Sequence, residues 1–365
     1  MPPGRIRAEG GPASGYSGRV TISAAEPGSP DPEPTAGAAL PGPPDADSAA
    51  DSAADRPTDP TPAPAVLSEA AAEAEKLFGP GVTVRETEAE ALENLRKVLI
   101  LVGRGKLKCS AESQRPSEIT MRMVEEVLVR GDYYPDEEIA AFAWPLLLLS
   151  GGLALLDGPW MRPTARGRTV AADPQPAALA GLWSRWLLKA PIDELMRIDA
   201  IRGQRKPATL SAPTKRRAAV AAGLAALPAE GWVPVDRMLR IIRDQEPPLI
   251  VPRSEDALWR LYLEDPDRGS LGHPGFGNWD ILEGRYALCV VFEYAATLGL
   301  LDLVYRDPED ARDDFRNNWG VQNYRYLSRY DGLLAVRRTP LGTSVFNPAL
   351  AGRAADTTAA ADLTP

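Results

Sequence analysis

The chain of 365 residues is long enough for two domains, and its 44% hydrophobic and 25% charged content is typical of a globular protein in water. A net charge of −9 weighs against a protein whose entire surface binds phosphate, so any nucleic-acid site has to be local. One histidine, His273, and two cysteines, Cys109 and Cys289, are too few for a zinc site or a disulfide framework. We therefore expect a cytoplasmic protein without a metal or a cofactor.

Residues 1–66 differ in composition from the rest of the chain. They hold fourteen of the 36 prolines, and nine acidic residues against four basic ones. Such a segment buries too little apolar surface to offset the entropy of ordering it, so we predict a disordered tail. The tail contains no basic cluster or aromatic motif, which favours a simple extension over a docking role. Residues 349–365 have a similar composition and are also predicted to be disordered.

Residues 67–172 are predicted to begin with a helix and a short strand. Apolar residues at spacings of three and four indicate that the helix starts at Glu88. These residues are Leu92, Leu95, Leu99 and Val102. The segment 106–110, KLKCS, alternates apolar and basic residues as a half-buried strand does.

Two more helices and a hairpin complete this part of the chain. Pro116 starts a second helix, and a third runs from about residue 136 until the glycines at 151 and 152. The apolar run at 142–156 is too short to cross a bilayer, so we expect no membrane partner. Strands at 153–157 and 160–164 are predicted to form the hairpin.

Residues 173–211 are predicted to be a helical and basic linker. Leucines and tryptophans between 176 and 201 recur at helical spacing, which indicates an amphipathic helix that packs the flanking parts together. The apolar positions are Leu179, Leu182, Trp183, Trp186 and Leu187. Basic residues crowd the stretch from Arg197 to Arg217, in which Asp199 is the only acidic residue.

Residues 212–348 repeat the order of the first part. Thr214 is the expected N-cap of a helix, residues 231–235 form a short strand, and Asp236 caps the next helix. The later elements are an insertion rich in Pro, Gly and aromatic residues (247–279), a long helix (about 280–298) and two hairpin strands (300–305 and 333–338).

Both hairpins end in the same short motif. Thr164-Ala-Arg-Gly167 follows the first and Thr339-Pro-Leu-Gly342 the second, where threonine favours the strand and glycine the bend. The order of a helix, a short strand, two helices and a hairpin resembles the winged helix-turn-helix superfamily of transcription regulators and helicase-associated domains. The resemblance implies an α+β fold, mainly α with small β hairpins, made of two tandem winged-helix modules joined by a linker helix. The sequence indicates no closer family.

The resemblance also implies that the third helix enters a DNA major groove while the hairpin, or wing, contacts the backbone. The third helix of the first module contains no Lys or Arg and begins with three acidic residues, so it would repel phosphate. The corresponding helix of the second module offers only Arg285. We therefore expect both third helices to face inward and charged edges to carry any recognition.

Two groups of basic residues are the candidate nucleic-acid contacts. The first wing and the linker supply Arg162, Arg166, Arg168, Arg202, Arg205, Lys206, Lys215, Arg216 and Arg217. Such a patch binds phosphate without reading the sequence, which predicts DNA as a partner of low specificity. A regulatory role, or a role accessory to a nucleic-acid machine, would follow. A solvated linker, or contacts with the acidic second wing, is the structural alternative.

A protein-interaction scaffold is the second functional interpretation. Residues 307–314, in the second wing, contain five acidic residues with Arg312 alone among them. Aromatic and basic residues then alternate, and these types dominate interface hot spots. The candidate partner-binding residues are Arg316, Trp319, Tyr324, Arg325, Tyr326 and Arg329. Packing of the aromatic residues against their own module is the plainer alternative.

We expect no enzymatic activity. His273 lies in GHPGFGNW, whose glycine spacing fits neither the dinucleotide-binding fingerprint nor the phosphate-binding loop. The chain shows no nucleophile elbow and no metal-ligand spacing. Cys109, on a strand, and Cys289, on an apolar helix, are predicted core residues. Asp331-Gly332 is predicted to be a turn into the last strand.

Overall fold

Helices and short antiparallel strands make up the described chain, so the fold is α+β as the sequence predicts. The computed structural model describes residues 69–346, with gaps at 136, 206–208, 266, 273–278, 319–320 and 322–323. The two predicted tails, 1–66 and 349–365, lie outside the described residues, as do Lys206, His273 and Trp319.

The first part of the chain contains the predicted helices and hairpin, preceded by a helix and a strand that the sequence patterns did not reveal. The elements are α1 (Glu69–Phe78), β1 (Thr83–Arg85), α2 (Glu88–Gly103), α3 (Glu118–Glu125), α4 (Ala140–Ser150), β2 (Ala154–Asp157) and β3 (Trp160–Pro163). Helix α4 begins later than predicted, because Glu138 has a left-handed backbone (φ 48°). The carboxylate of Asp132 accepts hydrogen bonds from the amides of Ala140 and Ala141, each at 2.8 Å, and so caps the helix.

The linker and the second part continue with helices and a second hairpin. The elements are α5 (Ala165–Ala172), α6 (Pro176–Leu188), a 3-10 turn (Glu194–Arg197), α7 (Pro213–Ala225), β4 (Val233–Pro234), α8 (Val235–Arg243), α9 (Glu255–Leu258), α10 (Arg285–Cys289, between π-helical stretches Asp280–Gly284 and Val290–Ala296), β5 (Leu301–Tyr305), β6 (Leu333–Arg338) and α11 (Pro340–Phe346). Linker helix α6 is shorter than predicted, because Pro191 cannot continue a helix.

Two predicted N-caps are wrong. Ala212 is the N-cap of α7 and Pro213 its first residue, so Thr214 lies inside the first turn. Proline is suited to that position because its missing N–H would have no partner there. Pro234 precedes α8, which places Asp236 in the first turn, where an acidic side chain interacts favourably with the helix dipole.

The second hairpin belongs to a four-stranded antiparallel sheet with the order β1-β5-β6-β4. Strand β4 is the short strand predicted at 231–235. Strand β1 comes from the segment assigned to the first module, yet Val84 pairs with Val304 of β5. Helix α1 covers this sheet through Ala74, which packs against Val304 and Ala335. The segment before α2 therefore packs with the second half of the chain.

Strands β2 and β3 of the first hairpin pair with each other, and the segment 106–110 adds to them. The amide of Cys109 donates to the carbonyl of Pro159, and that of Met161 to the carbonyl of Leu107, each at 2.9 Å. A bridge between Lys108 and Trp160 completes this three-stranded arrangement.

The first Thr-x-x-Gly motif caps a helix. The Thr164 hydroxyl accepts from the amide of Gly167 at 3.0 Å and donates to the carbonyl of Gly152 at 2.9 Å. Thr164 is thus the N-cap of α5. Gly167 lies against the backbone of Leu153, and a Cβ there would lie well within 3.0 Å of the Leu153 carbonyl oxygen.

The second motif makes the same contacts. The Thr339 hydroxyl accepts from the amide of Gly342 at 2.8 Å and donates to the carbonyl of Gly299 at 2.7 Å. A Cβ on Gly342 would overlap the carbonyl oxygen of Leu300. The expectation that the threonine extends the strand and the glycine bends the chain is wrong. Both motifs instead cap a helix that crosses the start of its hairpin at backbone contact.

The core runs through both halves of the chain, and the third helices lie inside it. Helix α4 is buried from Ala140 to Leu148, and the side chains of Asp280–Ala296 are buried beyond their first residue. Linker helix α6 contacts both α4 and α7, and Trp186 stacks on Tyr294 with ring centroids 4.2 Å apart. The inward orientation predicted from the lack of basic residues is therefore confirmed. Within the described residues, none of the helices has the length and apolar character that crossing a membrane requires.

Candidate nucleic-acid interface

The three arginines predicted for the first hairpin are all exposed. Arg162 lies on β3, where it pairs across the hairpin with Leu155 and makes a loose ion pair with Asp157 at 3.8 Å. Arg166 and Arg168 follow on α5. The structure therefore leaves these three charges available to a partner.

The structure places further basic residues, which are distant in the sequence, beside these three arginines. The strand 106–110 brings Lys106 and Lys108 beside β3, and the Arg162 guanidinium lies against Gly105. Arg185 of α6 lies close enough to Arg166 that it lowers the pKa of Arg166, an effect second to that of burial. We call the resulting set the basic hairpin surface. It consists of Arg104, Lys106, Lys108, Arg162, Arg166, Arg168 and Arg185.

The basic hairpin surface carries an uncompensated positive charge. Asp157 is the only acidic residue in the two segments, 104–110 and 157–168, that supply six of the seven cations. Among the salt bridges of the described residues, only the 3.8 Å pair of Arg162 involves a member of the set. An exposed cluster of unpaired cations attracts polyanions and binds phosphate by releasing counterions.

Arg216 and Arg217 do not belong to any interface, so their predicted role as phosphate contacts is wrong. Each is only 1% exposed. Nε of Arg217 donates to Oε1 of Glu194 at 2.8 Å, and Arg216 pairs with Asp193. The sequence KRR lies near the start of helix α7, after Pro213 and Thr214, and helical geometry places Arg216 and Arg217 inside while Lys215 stays exposed.

Arg197 of the linker is also buried. Its Nε donates to Oε1 of Glu293, in the π-helical stretch that follows α10, and its Nη2 donates to the carbonyl of Glu138 at 3.0 Å. The guanidinium also lies 3.8 Å from the centre of the Phe142 ring. Arg197 therefore joins this π-helical stretch to the loop before α4, across the two halves of the chain.

The other described residues of the predicted basic set lie at the surface. Arg202, Arg205 and Lys215 are exposed. Lys215 lines an open cleft of about 670 Å³ at the N-terminus of α7, together with Arg253 from the insertion. The sequence did not reveal Arg253, because long-range pairing, including the bridge between Leu210 and Pro252, brings the insertion beside the linker.

The predicted partner-binding arginines are neutralised by acidic residues of the same chain. Arg316 and Arg325 both pair with Asp310, at 2.7 and 2.8 Å. Arg329 pairs with Glu137 at 2.8 Å and with Asp199 at 3.0 Å. Asp310 of the second wing therefore neutralises Arg316 and Arg325, whereas acidic residues outside the wing neutralise Arg329.

The half-buried Tyr324 and Tyr326 lie beside these ion pairs. Together with Arg325 and Arg329, they line a cleft of about 490 Å³.

A buried ion pair that the sequence did not reveal anchors this long connection. Asp331 is fully buried and accepts from Arg285 of α10 at 3.0 Å, while Gly332 packs against the carbonyl of Arg306. Arg285 also donates to Asp314 at 2.8 Å. Asp331-Gly332 is therefore a fixed attachment point of the connection. The feature of the sequence that could have indicated this ion pair is Arg285, a lone arginine on an apolar helix.

The described residues show no arrangement typical of a catalytic centre. Burial raises the pKa of the Cys109 thiol to about 12, and also raises that of Cys289, so neither thiol ionises readily. Within the described residues, no group of three or more His, Cys, Asp and Glu side chains is placed to hold a metal ion.

Glu283 is a buried carboxyl group in the π-helical stretch before α10. Its Oε1 accepts from the amide of Val251 at 3.0 Å and so holds the insertion against this stretch. Burial raises the pKa of Glu283 to about 7, although the hydrogen bond from Val251 lowers it. The folded state therefore holds the proton of Glu283 more tightly than the unfolded chain does, and ionisation of this carboxyl group affects the contact with Val251.

We expect the Glu283→Gln variant to be more stable than the parent protein at pH 8, by about 3 kcal/mol, and equally stable at pH 4. Between about pH 4.5 and 7 the unfolded chain loses its proton before the folded one, so the parent loses stability as the pH rises. The amide keeps an acceptor for Val251 and carries no charge. Thermal unfolding at the two pH values measures the difference, and equal melting temperatures at pH 8 would contradict the assignment.

The chain gives no match to a protein-family model, to a curated protein or to a solved structure.

Proposed function

We propose that this chain is a cytoplasmic, non-enzymatic nucleic-acid-binding protein made of two tandem winged-helix modules. It holds the sugar-phosphate backbone through the basic hairpin surface, with the cleft lined by Lys215 and Arg253 as a secondary contact. The role we infer is regulatory, or accessory to a nucleic-acid machine. The observation that carries the proposal is the set of seven exposed cations, only one of which forms a salt bridge among the described residues, in a chain whose net charge is −9.

The repeated contacts at the two hairpins support the tandem architecture. In each half, a helix, a short strand and further helices (α3 and α4 in the first, α8, α9 and α10 in the second) lead into a hairpin, and a threonine then caps the helix that follows. Two unrelated segments would have no reason to share the same glycine-on-carbonyl contact at the same position. The repetition indicates that one structural unit is used twice.

The burial of the third helices restricts how nucleic acid can bind. Because α4 and α10 lie in the core, neither presents side chains to a major groove. The available contacts are cations on strands and helix ends, which meet phosphates and carry no base specificity. The proposal is therefore for binding that depends strongly on salt and weakly on sequence.

Charge reversal of the basic hairpin surface tests the proposal. We expect the variant with Arg162→Glu, Arg166→Glu and Arg168→Glu to bind a fluorescent DNA oligonucleotide at least about tenfold more weakly than the parent at low salt. The plot of log affinity against log salt concentration should also become shallower, because fewer counterions are released. Fluorescence anisotropy at several salt concentrations measures both effects.

The matched control changes the same number of exposed arginines on α8. The variant with Arg237→Glu, Arg240→Glu and Arg243→Glu has the same net charge, so it separates a local contact from a general repulsion. We expect it to keep most of the affinity. Equal affinities of the parent and the hairpin variant would refute the proposed site.

A protein-interaction scaffold remains the second candidate, because a specific feature favours it. Four of the predicted partner-binding residues line one cleft beside the linker, and a polar cleft with tyrosines suits a polypeptide partner. The residues are Tyr324, Arg325, Tyr326 and Arg329. Unchanged DNA binding in the hairpin variant, together with loss of a co-purifying protein on Tyr326→Ala, would favour this function.

A further inference from the structure

The outer face of the first hairpin combines an aromatic ring with cations. Successive residues of a strand point to opposite faces, so the register of the hairpin places Leu155, Asp157, Trp160 and Arg162 on one face. Met161, on the opposite face, is fully buried in the core. The outer face is therefore the one that a partner can reach.

Trp160 lies at the centre of this face. Its ring is partly exposed, and the ammonium group of Lys108 lies 4.2 Å from the ring centre. Lys106 shares the face with Lys108, because Leu107 between them is buried. One aromatic ring is thus flanked by two lysines on the neighbouring strand and by Arg162 on its own strand.

We propose that this face binds a single strand of nucleic acid, with one base stacked on Trp160 and the adjacent phosphates held by Lys106, Lys108 and Arg162. The inference rests on the proposed nucleic-acid function and names its substrate class. Aromatic rings between cations hold unpaired bases, because every base has a face that can stack. In a duplex the bases are stacked on one another, so the ring would have no base to contact.

The arrangement of charge supports a strand over a duplex. The third helices α4 and α10 are buried, so neither presents side chains to a major groove. When a base stacks on the Trp160 ring, the ammonium group of Lys108 would leave the ring and contact a phosphate. The positive charge of Lys108 would then be balanced by the phosphate. Asp157 pairs with Trp160 across the hairpin and lies on the same face. Its carboxylate accepts hydrogen bonds, so it favours a ligand that offers the donors of base edges as well as phosphates.

Two substitutions at one position test the inference in the full chain. We expect Trp160→Leu to weaken binding of a fluorescein-labelled strand of about 15 thymidines about tenfold, and Trp160→Phe to restore most of the affinity. A duplex of equal length should bind more weakly than the strand to the parent protein, and its affinity should not change in either variant. Anisotropy titrations give the affinities, and thermal unfolding checks that both variants fold.

The possible outcomes separate the inference from the function on which it rests. Strand binding that is unchanged in Trp160→Leu, or equally weak in Trp160→Phe, would overturn the stacking contact. Tighter binding of the duplex would also overturn it, while leaving the backbone contact in place if the arginine reversals still weaken binding. If neither strand nor duplex binds, the nucleic-acid function itself fails, and the inference with it.

Discussion

The Glu194→Ala variant is expected to be less stable than the parent by about 3–5 kcal/mol, because it leaves a buried arginine without its counter-ion. Glu194 is fully buried, and its Oε1 lies 2.8 Å from Nε of Arg217. Its Oε2 accepts from the hydroxyl of Tyr286 at 2.9 Å. Burial raises the pKa of Glu194, and the charge of Arg217 opposes that rise. The carboxylate therefore joins the linker to both α7 and α10.

Urea unfolding of five variants tests this expectation. The Glu194→Met, Arg217→Met double variant removes both charges and should lose less stability than the Glu194→Met and Arg217→Met single variants added together. The control is Asp280→Ala, which breaks an ion pair with Arg243 whose two side chains are 42% and 41% exposed. Breaking this exposed pair should cost about 1 kcal/mol or less. A loss in Glu194→Ala no larger than in the control would show that the buried pair does not hold the linker against α7 and α10.

Alanine in place of Gly167 or of Gly342 is expected to cost about 3 kcal/mol at either position, because the new methyl group would overlap a backbone carbonyl. A carbonyl of the hairpin cannot move as a flexible side chain can, so the helix after the hairpin must shift. The two losses should be similar, since the contact is the same in both halves. Differential scanning calorimetry of the single variants measures them.

Gly103→Ala is the matched control for these two changes. Gly103 ends α2, and a Cβ there would meet no atom within 4 Å. Alanine has the higher helix propensity, so this variant should be as stable as the parent or slightly more stable. Losses at Gly167 and Gly342 that match the small effect at Gly103 would mean that the glycines are not required by close packing.

Periodic patterns predicted the elements of this fold well. The spacing of Leu95, Leu99 and Val102 located α2, and the lack of basic residues on α4 correctly indicated burial. The repetition of Thr-x-x-Gly pointed to two equivalent positions, although its physical role was misjudged. A sequence shows that a glycine recurs, but the carbonyl that it packs against becomes known only when the chain is folded.

The sequence predicts the exposure of the basic residues correctly on the hairpin and wrongly for two residues of α7. Arg162 is exposed because it alternates with the buried Met161, and this alternation can be seen in the sequence. Arg216 and Arg217 are buried because they form ion pairs with Asp193 and Glu194 of the linker. A run of basic residues does not show which of its members have acidic partners in space.

The pairing of β1 with β5 has a consequence for attempts to divide this chain. Thr87 extends the attachment beyond the strand, since its amide donates to Asp302 and its hydroxyl to the carbonyl of Leu301. A protease cut in the linker would therefore yield two fragments that still share a sheet and stay associated. Neither fragment expressed alone could satisfy the amides and carbonyls along that edge, and a lone C-terminal fragment would offer it to other chains.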